Sequence, residues 1–201
     1  MNETLKRALS GFVYVAIMWF GTSYSYLSFN LLFATVGMVA LYEMRKLRKG
    51  KSKFSAYLFI MIPFSIVFQI DKEIILFMFI LTWTFDTFAY LFGVRFGKTK
   101  IMPSISAKKS WEGFAGGFVF TVLASLITTH YFLELDNSIA LGISLFLPFT
   151  ATLGDFTESY FKRKAGVKDS GNFIPGHGGM LDRMDAFMIT IPVLYIYINI
   201  I

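Results

Sequence analysis

The feature that most constrains the fold is a series of long segments without a charged residue. The first covers residues 8–42, 35 consecutive uncharged positions, whereas a bilayer-spanning helix needs only about 20. Because lipid offers no hydrogen-bond partner to free backbone groups, such segments cross a membrane as helices. Only 16% of the residues are charged and 55% are hydrophobic, which excludes an ordinary soluble domain. The sequence therefore predicts an all-α, polytopic integral membrane protein.

Short polar interruptions divide the chain into about seven predicted transmembrane helices. Small and hydroxyl residues at 21–25 split the first segment into a hairpin. The other predicted spans are 56–70, 74–92, 114–133, 139–153 and 184–201, with basic loops at 45–53 and 95–109, an acidic turn at 134–136 and a long polar segment at 154–183. Since 56–70 is short, a re-entrant segment is the alternative there.

The distribution of basic residues supports this topology. With seven spans, 18 of the 19 Lys and Arg residues fall on one face, and only Lys72 lies opposite. Lys and Arg concentrate in cytoplasmic loops, so we expect a multi-pass protein of the cell (inner) membrane with its N-terminus inside. The net charge of +6 follows from these loops, and we expect no nucleic-acid partner.

The chain is expected to form one domain over residues 1–201. It has no internal repeat and no low-complexity linker. Lys6 and Arg7 precede an apolar segment, but no small-x-small cleavage site follows, which favours an uncleaved anchor. The absence of cysteine excludes thiol catalysis, cysteine-ligated zinc and iron–sulfur clusters.

Five acidic residues stand where charge is costly, grouped or next to a basic loop. Asp86 lies within the predicted span 74–92, and such a residue marks either function or a buried partner. Asp182 and Asp185 are three residues apart, on one helix face, and Asp155 is expected at a matching depth. Helix capping accounts for one of these acids. Three together, surrounded by Lys and Arg, favour a cation site. Glu43 ends its span beside a basic loop, where an interfacial ion pair and a functional role are both compatible with the sequence.

The polar segment has the composition of a phosphate site. Four glycines within 171–179 would let backbone N–H groups approach a ligand closely. Basic side chains suit polyphosphate, and Mg²⁺ prefers carboxylate and phosphate oxygens. No Walker motif is present. The combination indicates a phosphorylated substrate and a metal ion.

Residues 159–185 resemble the signature of phosphatidate cytidylyltransferases, also called CDP-diacylglycerol synthases. The family pattern is Ser, then K-R, then K-D, then H-G-G-x-x-D-R-x-D. The chain matches it at Ser159, Lys162, Arg163, Lys168, Asp169, His177, Gly178, Gly179, Asp182, Arg183 and Asp185. Two further stretches are similar to family motifs, D-T-F-A-Y-L-F-G from Asp86 and S-A-K-K-S-W-E-G from Ser106, where Ala107 and Ser110 depart from the usual Pro and Thr. The signature region is thus 86–185.

The resemblance implies that CTP and phosphatidate react to give CDP-diacylglycerol and pyrophosphate, on the cytoplasmic side. It implies Mg²⁺, with a second cation such as K⁺, and it allows a homodimer. The implied catalytic residues are Lys162, Arg163, Lys168, Asp182 and Arg183. The implied substrate-binding residues are Lys108, Lys109, Ser159, His177, Gly178 and Gly179. The implied metal ligands are Asp86, Asp155, Asp182 and Asp185.

Other classes of protein leave different signals. A transporter would also place Asp86 inside a span, but it would not need the basic, glycine-rich and acidic cluster on one face. The D-G-x-x-A-R motif of CDP-alcohol phosphotransferases is absent. A CTP-dependent enzyme acting on a polyprenol or an archaeal ether lipid fits the same residues. For Lys108 and Lys109, attraction to anionic lipid is an equal explanation.

Overall fold

The computed structural model describes residues 3–48, 54–133 and 135–201, which form seven α-helices and one β-hairpin. The helices are α1 (Glu3–Ser23), α2 (Tyr26–Leu47), α3 (Phe54–Ile66), α4 (Lys72–Phe96), α5 (Trp111–Tyr131), α6 (Asn137–Lys164) and α7 (Leu181–Ile200). The antiparallel strands are β1 (Lys100–Met102) and β2 (Ser106–Ser110). Residues 49–53 of the predicted basic loop and residue 134 of the predicted acidic turn lie outside the described residues.

The prediction of an all-α membrane protein is confirmed. Five helices, α2, α4, α5, α6 and α7, are long and apolar enough to cross a membrane. Within the described ranges α1 is not in this set, and α3, with 13 residues, is too short to cross alone. Seven spans therefore stays a prediction.

Polar residues begin the helices where the sequence predicted interruptions. The predicted hairpin within 8–42 is confirmed, because α1 ends at Ser23 and α2 begins at Tyr26. Ser25 caps α2 by accepting from the Ser28 N–H at 3.0 Å. Asp71 caps α4 in the same way, accepting from the Glu73 N–H at 2.8 Å. Such caps satisfy the first free N–H groups of a helix.

The polar segment after the sixth predicted span does not begin as a loop, contrary to the prediction. Residue 154 does not begin a loop, because α6 continues to Lys164. Its polar last turns remain helical since one face stays buried, including Phe156, Ser159 and Lys162. Hydropathy reports contact with lipid, whereas this part of α6 is covered by protein. The extension places the residues that follow Asp155 on the same helix as Asp155.

The β-hairpin between α4 and α5 was not predicted. Its base is fixed by Glu112, whose carboxylate accepts from the backbone N–H groups of Lys98 and Thr99 at 3.1 and 3.0 Å. Ser110 ends β2 and caps α5, accepting from the Gly113 N–H at 3.2 Å. The hairpin therefore presents the lysines of the 106–110 motif beside the end of α4.

Glycines set how closely the helices approach. A Cβ at Gly117 of α5 would lie 2.7 Å from the Phe85 ring of α4, and one at Gly113 would lie 2.6 Å from the Ala89 carbonyl oxygen. Small residues allow membrane helices to pack backbone to backbone. At Gly154 of α6, a Cβ would collide with the Asp185 carbonyl and lie 3.2 Å from the Ala186 Cα of α7. This contact aligns the acidic residues of α6 and α7.

Candidate active site

Three carboxylates from α6 and α7 meet where Gly154 permits close packing. One oxygen from each of Asp155, Glu158 and Asp185 lies within 4.8 Å of the other two. Asp155 and Glu158 are three residues apart, hence on one face of α6, and Asp185 comes from α7. The predicted proximity of Asp155 and Asp185 is confirmed. Glu158 was not predicted as a site residue, although its spacing from Asp155 was a usable signal.

Glu158 is the least satisfied member of this carboxylate cluster. Its side chain is fully buried, and among the described residues its two carboxylate oxygens have no partner apart from the Lys162 ammonium at Oε2. In the described part of the chain, its one oppositely charged partner is Lys162, with which it forms an ion pair. A buried carboxylate without hydrogen bonds is costly unless a cation completes its surroundings. Three carboxylate oxygens in one place, one each from Asp155, Glu158 and Asp185, form a donor set suited to Mg²⁺.

Asp182 of α7 is held by the loop that precedes this helix. It is not part of the carboxylate cluster; its oxygens instead accept hydrogen bonds from the Lys162 ammonium at 2.7 Å, the Ser170 N–H at 2.9 Å and the Gly179 N–H at 2.7 Å. These contacts attach the 165–180 loop to α7. Lys162 pairs with both Glu158 and Asp182, so it connects the carboxylate cluster to this loop. A metal-binding role for Asp182 stays a prediction.

A cavity of about 420 Å³, here called the acidic cavity, opens beside the carboxylate cluster. Asp86 of α4, Lys109 of β2 and Arg183 of α7 line it together with Asp155 and Asp185. Lys109 also forms an ion pair with Asp155. Residues far apart in the sequence thus place both signs of charge around one space, as a phosphate-binding metal site requires.

The glycine-rich segment 171–179, here called the glycine turn, forms one rim of the acidic cavity. Gly176 and Gly178 have φ angles of +79° and +83°, a conformation that favours glycine. The turn is held by the Arg183 guanidinium, which donates to the His177 carbonyl at 2.8 and 3.1 Å. Partial burial, then the charges of Arg183 and Arg7, hold the pKa of His177 below its usual value.

Residues from α1 and α2 support this rim, which sequence reasoning missed. Ser10 of α1 lies 2.9 Å from His177 Nδ1. Glu43 of α2 is buried and accepts from the backbone N–H groups of Met180 and Leu181 at 3.1 and 2.9 Å and from the Ser170 hydroxyl at 3.0 Å. Glu43 therefore caps α7 directly before Asp182. An interfacial ion pair of Glu43, one of the two sequence-based interpretations, is not formed among the described residues.

Several other predicted site residues do not line the acidic cavity, and two of them have hydrogen bonds elsewhere on α6 or in the loop that follows it. Ser159 donates to Asp155 at 3.3 Å. Arg163 donates to the Val167 carbonyl at 3.0 Å. The following predicted residues do not line the acidic cavity: Lys108, Ser159, Lys162, Arg163, Lys168, Gly178 and Gly179. Their assigned roles stay predictions.

Comparison with known proteins gives the family. A family model described as "Cytidylyltransferase family" matches residues 69–201. The chain belongs to the cytidylyltransferase family. The match contains α4 to α7 and therefore every member of the carboxylate cluster.

Curated members of this family carry a more specific name. Phosphatidate cytidylyltransferase of Staphylococcus aureus (strain COL) is 48% identical over 124 residues, which cover 61% of this chain and 47% of that protein. The protein of the same name from Thermotoga maritima is 45% identical over 125 residues, covering 59% of this chain and 46% of its own length. The chain thus spans about half the length of the curated relatives it matches. The resemblance to phosphatidate cytidylyltransferases is confirmed.

Proposed function

We propose that this chain transfers a cytidylyl group from CTP to phosphatidate, giving CDP-diacylglycerol and pyrophosphate. The observation that carries this proposal is the carboxylate cluster of Asp155, Glu158 and Asp185, next to a cavity lined by Lys109 and Arg183. The names of the curated relatives support the same reaction. Both substrates are anions, and the proposed reaction also needs Mg²⁺. A site with only carboxylates would repel the substrates, and a site with only lysines would repel the metal ion.

The carboxylate cluster would hold Mg²⁺. Its fit rests on the buried carboxylate of Glu158, whose one partner among the described residues is Lys162, and on three converging carboxylates that would otherwise repel one another. When bound, such an ion supplies positive charge that offsets phosphate oxygens and the charge that develops on a leaving group. Asp86 lines the same cavity and is a further ligand in this proposal. A second cation such as K⁺ belongs to the same proposal.

The reaction needs no nucleophile from the protein. A phosphate oxygen of the lipid attacks the α-phosphorus of CTP, one P–O bond forms, and the bond to the bridging oxygen breaks. Pyrophosphate leaves with that electron pair. In phosphoryl-type transfer, catalysis depends mainly on positioning and charge stabilisation. Arg183, held by two hydrogen bonds to the His177 carbonyl, would orient the nucleotide phosphates.

The membrane setting is part of the proposal. The basic loops favour the cytoplasmic face of the cell membrane for this site. CTP would enter from the aqueous side, whereas phosphatidate would keep its acyl chains in the bilayer. The 95–109 loop, with its hairpin, reaches the acidic cavity through Lys109.

The test is pyrophosphate release by the purified full chain in detergent micelles with CTP, Mg²⁺ and phosphatidate. We expect release that needs all three components and that is lost in Asp185→Asn. Release with a polyprenyl phosphate or an ether-lipid phosphate, but not with phosphatidate, would assign a different lipid acceptor. Solute flux in liposomes without CTP consumption would replace the proposal by a transporter.

A further inference from the structure

A second cavity, of about 500 Å³, lies on the other side of Asp86 and Lys109. Both residues line both cavities. The second cavity is enclosed by α4, the β-hairpin and the first turns of α5. We call it the hairpin cavity. A group bound in it would lie directly beside the acidic cavity.

The side of the hairpin cavity formed by the β-hairpin is basic. Lys100 of β1 and Lys108 of β2 line it together with Lys109, and Ser106 and Ser110 add hydroxyl groups. Within the described ranges, Lys109 is ion-paired with Asp155, and neither Lys100 nor Lys108 forms a salt bridge. Lysine ammonium groups are common ligands of phosphate. The β-hairpin side of the cavity therefore suits a phosphate group with high negative charge.

The side of the hairpin cavity formed by α4 and α5 is largely apolar, and part of it is exposed. Phe85 and Phe114 line its wall, and Tyr90 and Val94 of α4 line it with 67% and 71% of their surfaces exposed. Because α4 is a candidate membrane span, exposed apolar side chains on it face lipid. The hairpin cavity thus combines a basic side, which lies beside the carboxylate site, with an apolar and partly exposed side that faces lipid. This combination matches a phosphomonoester that carries acyl chains.

We propose that the hairpin cavity binds the phosphomonoester headgroup of the lipid substrate, with Lys100 and Lys108 as its ligands and the acyl chains passing Tyr90 and Val94. This assignment rests on the proposed cytidylyl transfer and adds Lys100, which belongs to none of the sequence motifs considered above. It gives the two anionic substrates separate cavities that meet only at Asp86 and Lys109. There the lipid phosphate would reach the α-phosphorus of a nucleotide in the acidic cavity.

The test compares Lys100→Met and Lys108→Met with the matched control Lys46→Met, a substitution at an exposed lysine of α2 that lines neither cavity. We expect the KM for phosphatidate to rise about tenfold or more in the first two variants, the usual effect of losing one charge-assisted hydrogen bond. The KM for CTP should stay near that of the wild type, and Lys108→Arg should restore most of the loss. An increase in the KM for CTP instead, or an equal effect of Lys46→Met, would overturn the assignment.

Direct binding separates this inference from the proposed reaction. Short-chain phosphatidate and inorganic phosphate are titrated against the purified chain in detergent, with phosphatidylcholine as the control lipid. We expect phosphatidate to bind more tightly than phosphate, and both lysine variants to lose that binding. Equal affinity for inorganic phosphate would contradict an acyl-chain pathway, as would unchanged binding of long-chain phosphatidate in Val94→Trp. If phosphatidate binds as expected but no pyrophosphate is released, the proposed reaction fails while the lipid site stands.

Discussion

At the scale of single residues, Glu158 has the least favourable environment of the site. It is fully buried beside Asp155 and Asp185, and one of its two oxygens has no partner among the described residues. The structure gives such a group one stabilising partner, Lys162. A residue held in this way is expected to serve a ligand rather than stability.

We predict that Glu158→Gln removes the stabilisation by Mg²⁺ without lowering the stability of the metal-free protein. The substitution removes one of three converging charges, and Lys162 keeps its contact with Asp182. Thermal unfolding in detergent, with Mg²⁺ and with chelator, measures both effects. The wild type should gain several degrees with Mg²⁺ and the variant should gain none, since a ligand that binds only the folded state stabilises it. An equal gain in both proteins would exclude Glu158 from the site.

Glu43 provides a second prediction at this scale. Its buried carboxylate accepts three hydrogen bonds at the start of α7. Glu43→Gln should lower the free energy of unfolding by about 2 kcal/mol, the usual effect of losing a hydrogen bond to a charged group. The control is Glu73→Gln at an exposed carboxylate in the first turn of α4. Equal unfolding midpoints for the two variants would contradict the capping role.

His177 gives a pH dependence. Its pKa is lowered in the folded protein, chiefly by burial, so below the usual pKa of 6.5 the unfolded chain binds the proton more readily. Stability contributed by neutral His177 is thus present above that pH and falls as the pH drops toward the folded-state pKa. We expect the unfolding midpoint of the wild type to fall more steeply between pH 7 and pH 5 than that of His177→Gln. Parallel pH curves would show that the turn does not resist protonation.

At the scale of elements, the contact between α6 and α7 decides which carboxylates meet. The sequence was sufficient for the hairpin at residues 21–25, because small and hydroxyl residues interrupt the apolar segment there. It was also sufficient for the convergence of Asp155 with Asp185, because both stand at the polar ends of their predicted spans, among basic residues. It was not sufficient for the exclusion of Asp182 from the cluster. That outcome depends on how α7 is oriented against α6 at Gly154. It also depends on the N–H groups of the loop, from which Asp182 accepts hydrogen bonds. Long-range packing of this kind leaves no periodic pattern.

Gly154→Ala tests this contact. The added methyl group would meet the backbone of Asp185 and Ala186, so α7 must move away from α6. Overpacking of this kind costs about 1–3 kcal/mol, and the shift should also separate Asp185 from Asp155. We expect a lower unfolding midpoint and a reduced stabilisation by Mg²⁺. Leu153→Ala, at an exposed position one residue earlier, is the control and should change neither quantity appreciably. A Gly154→Ala variant with wild-type values would show that the close approach is not required.

At the scale of the whole molecule, helices from both halves of the chain form one site. The family match begins at residue 69, yet Ser10 and Glu43, which precede it, contact the glycine turn and the start of α7. The hydropathy pattern predicted the membrane-spanning helices, and the distribution of Lys and Arg predicted the basic face of the protein. It could not predict these contacts, since they join uncharged or single polar positions across more than 120 residues of chain. The N-terminal helices therefore stabilise the site.

The central claim is that carboxylates from α6 and α7 bind a divalent cation. The most direct measurement is a titration of the purified chain with Mn²⁺, a spectroscopic substitute for Mg²⁺, followed by electron paramagnetic resonance. We predict saturable binding that Mg²⁺ displaces and that Asp155→Asn, Glu158→Gln and Asp185→Asn each weaken strongly while the proteins remain folded. Undiminished Mn²⁺ binding in a variant carrying all three substitutions would contradict the account.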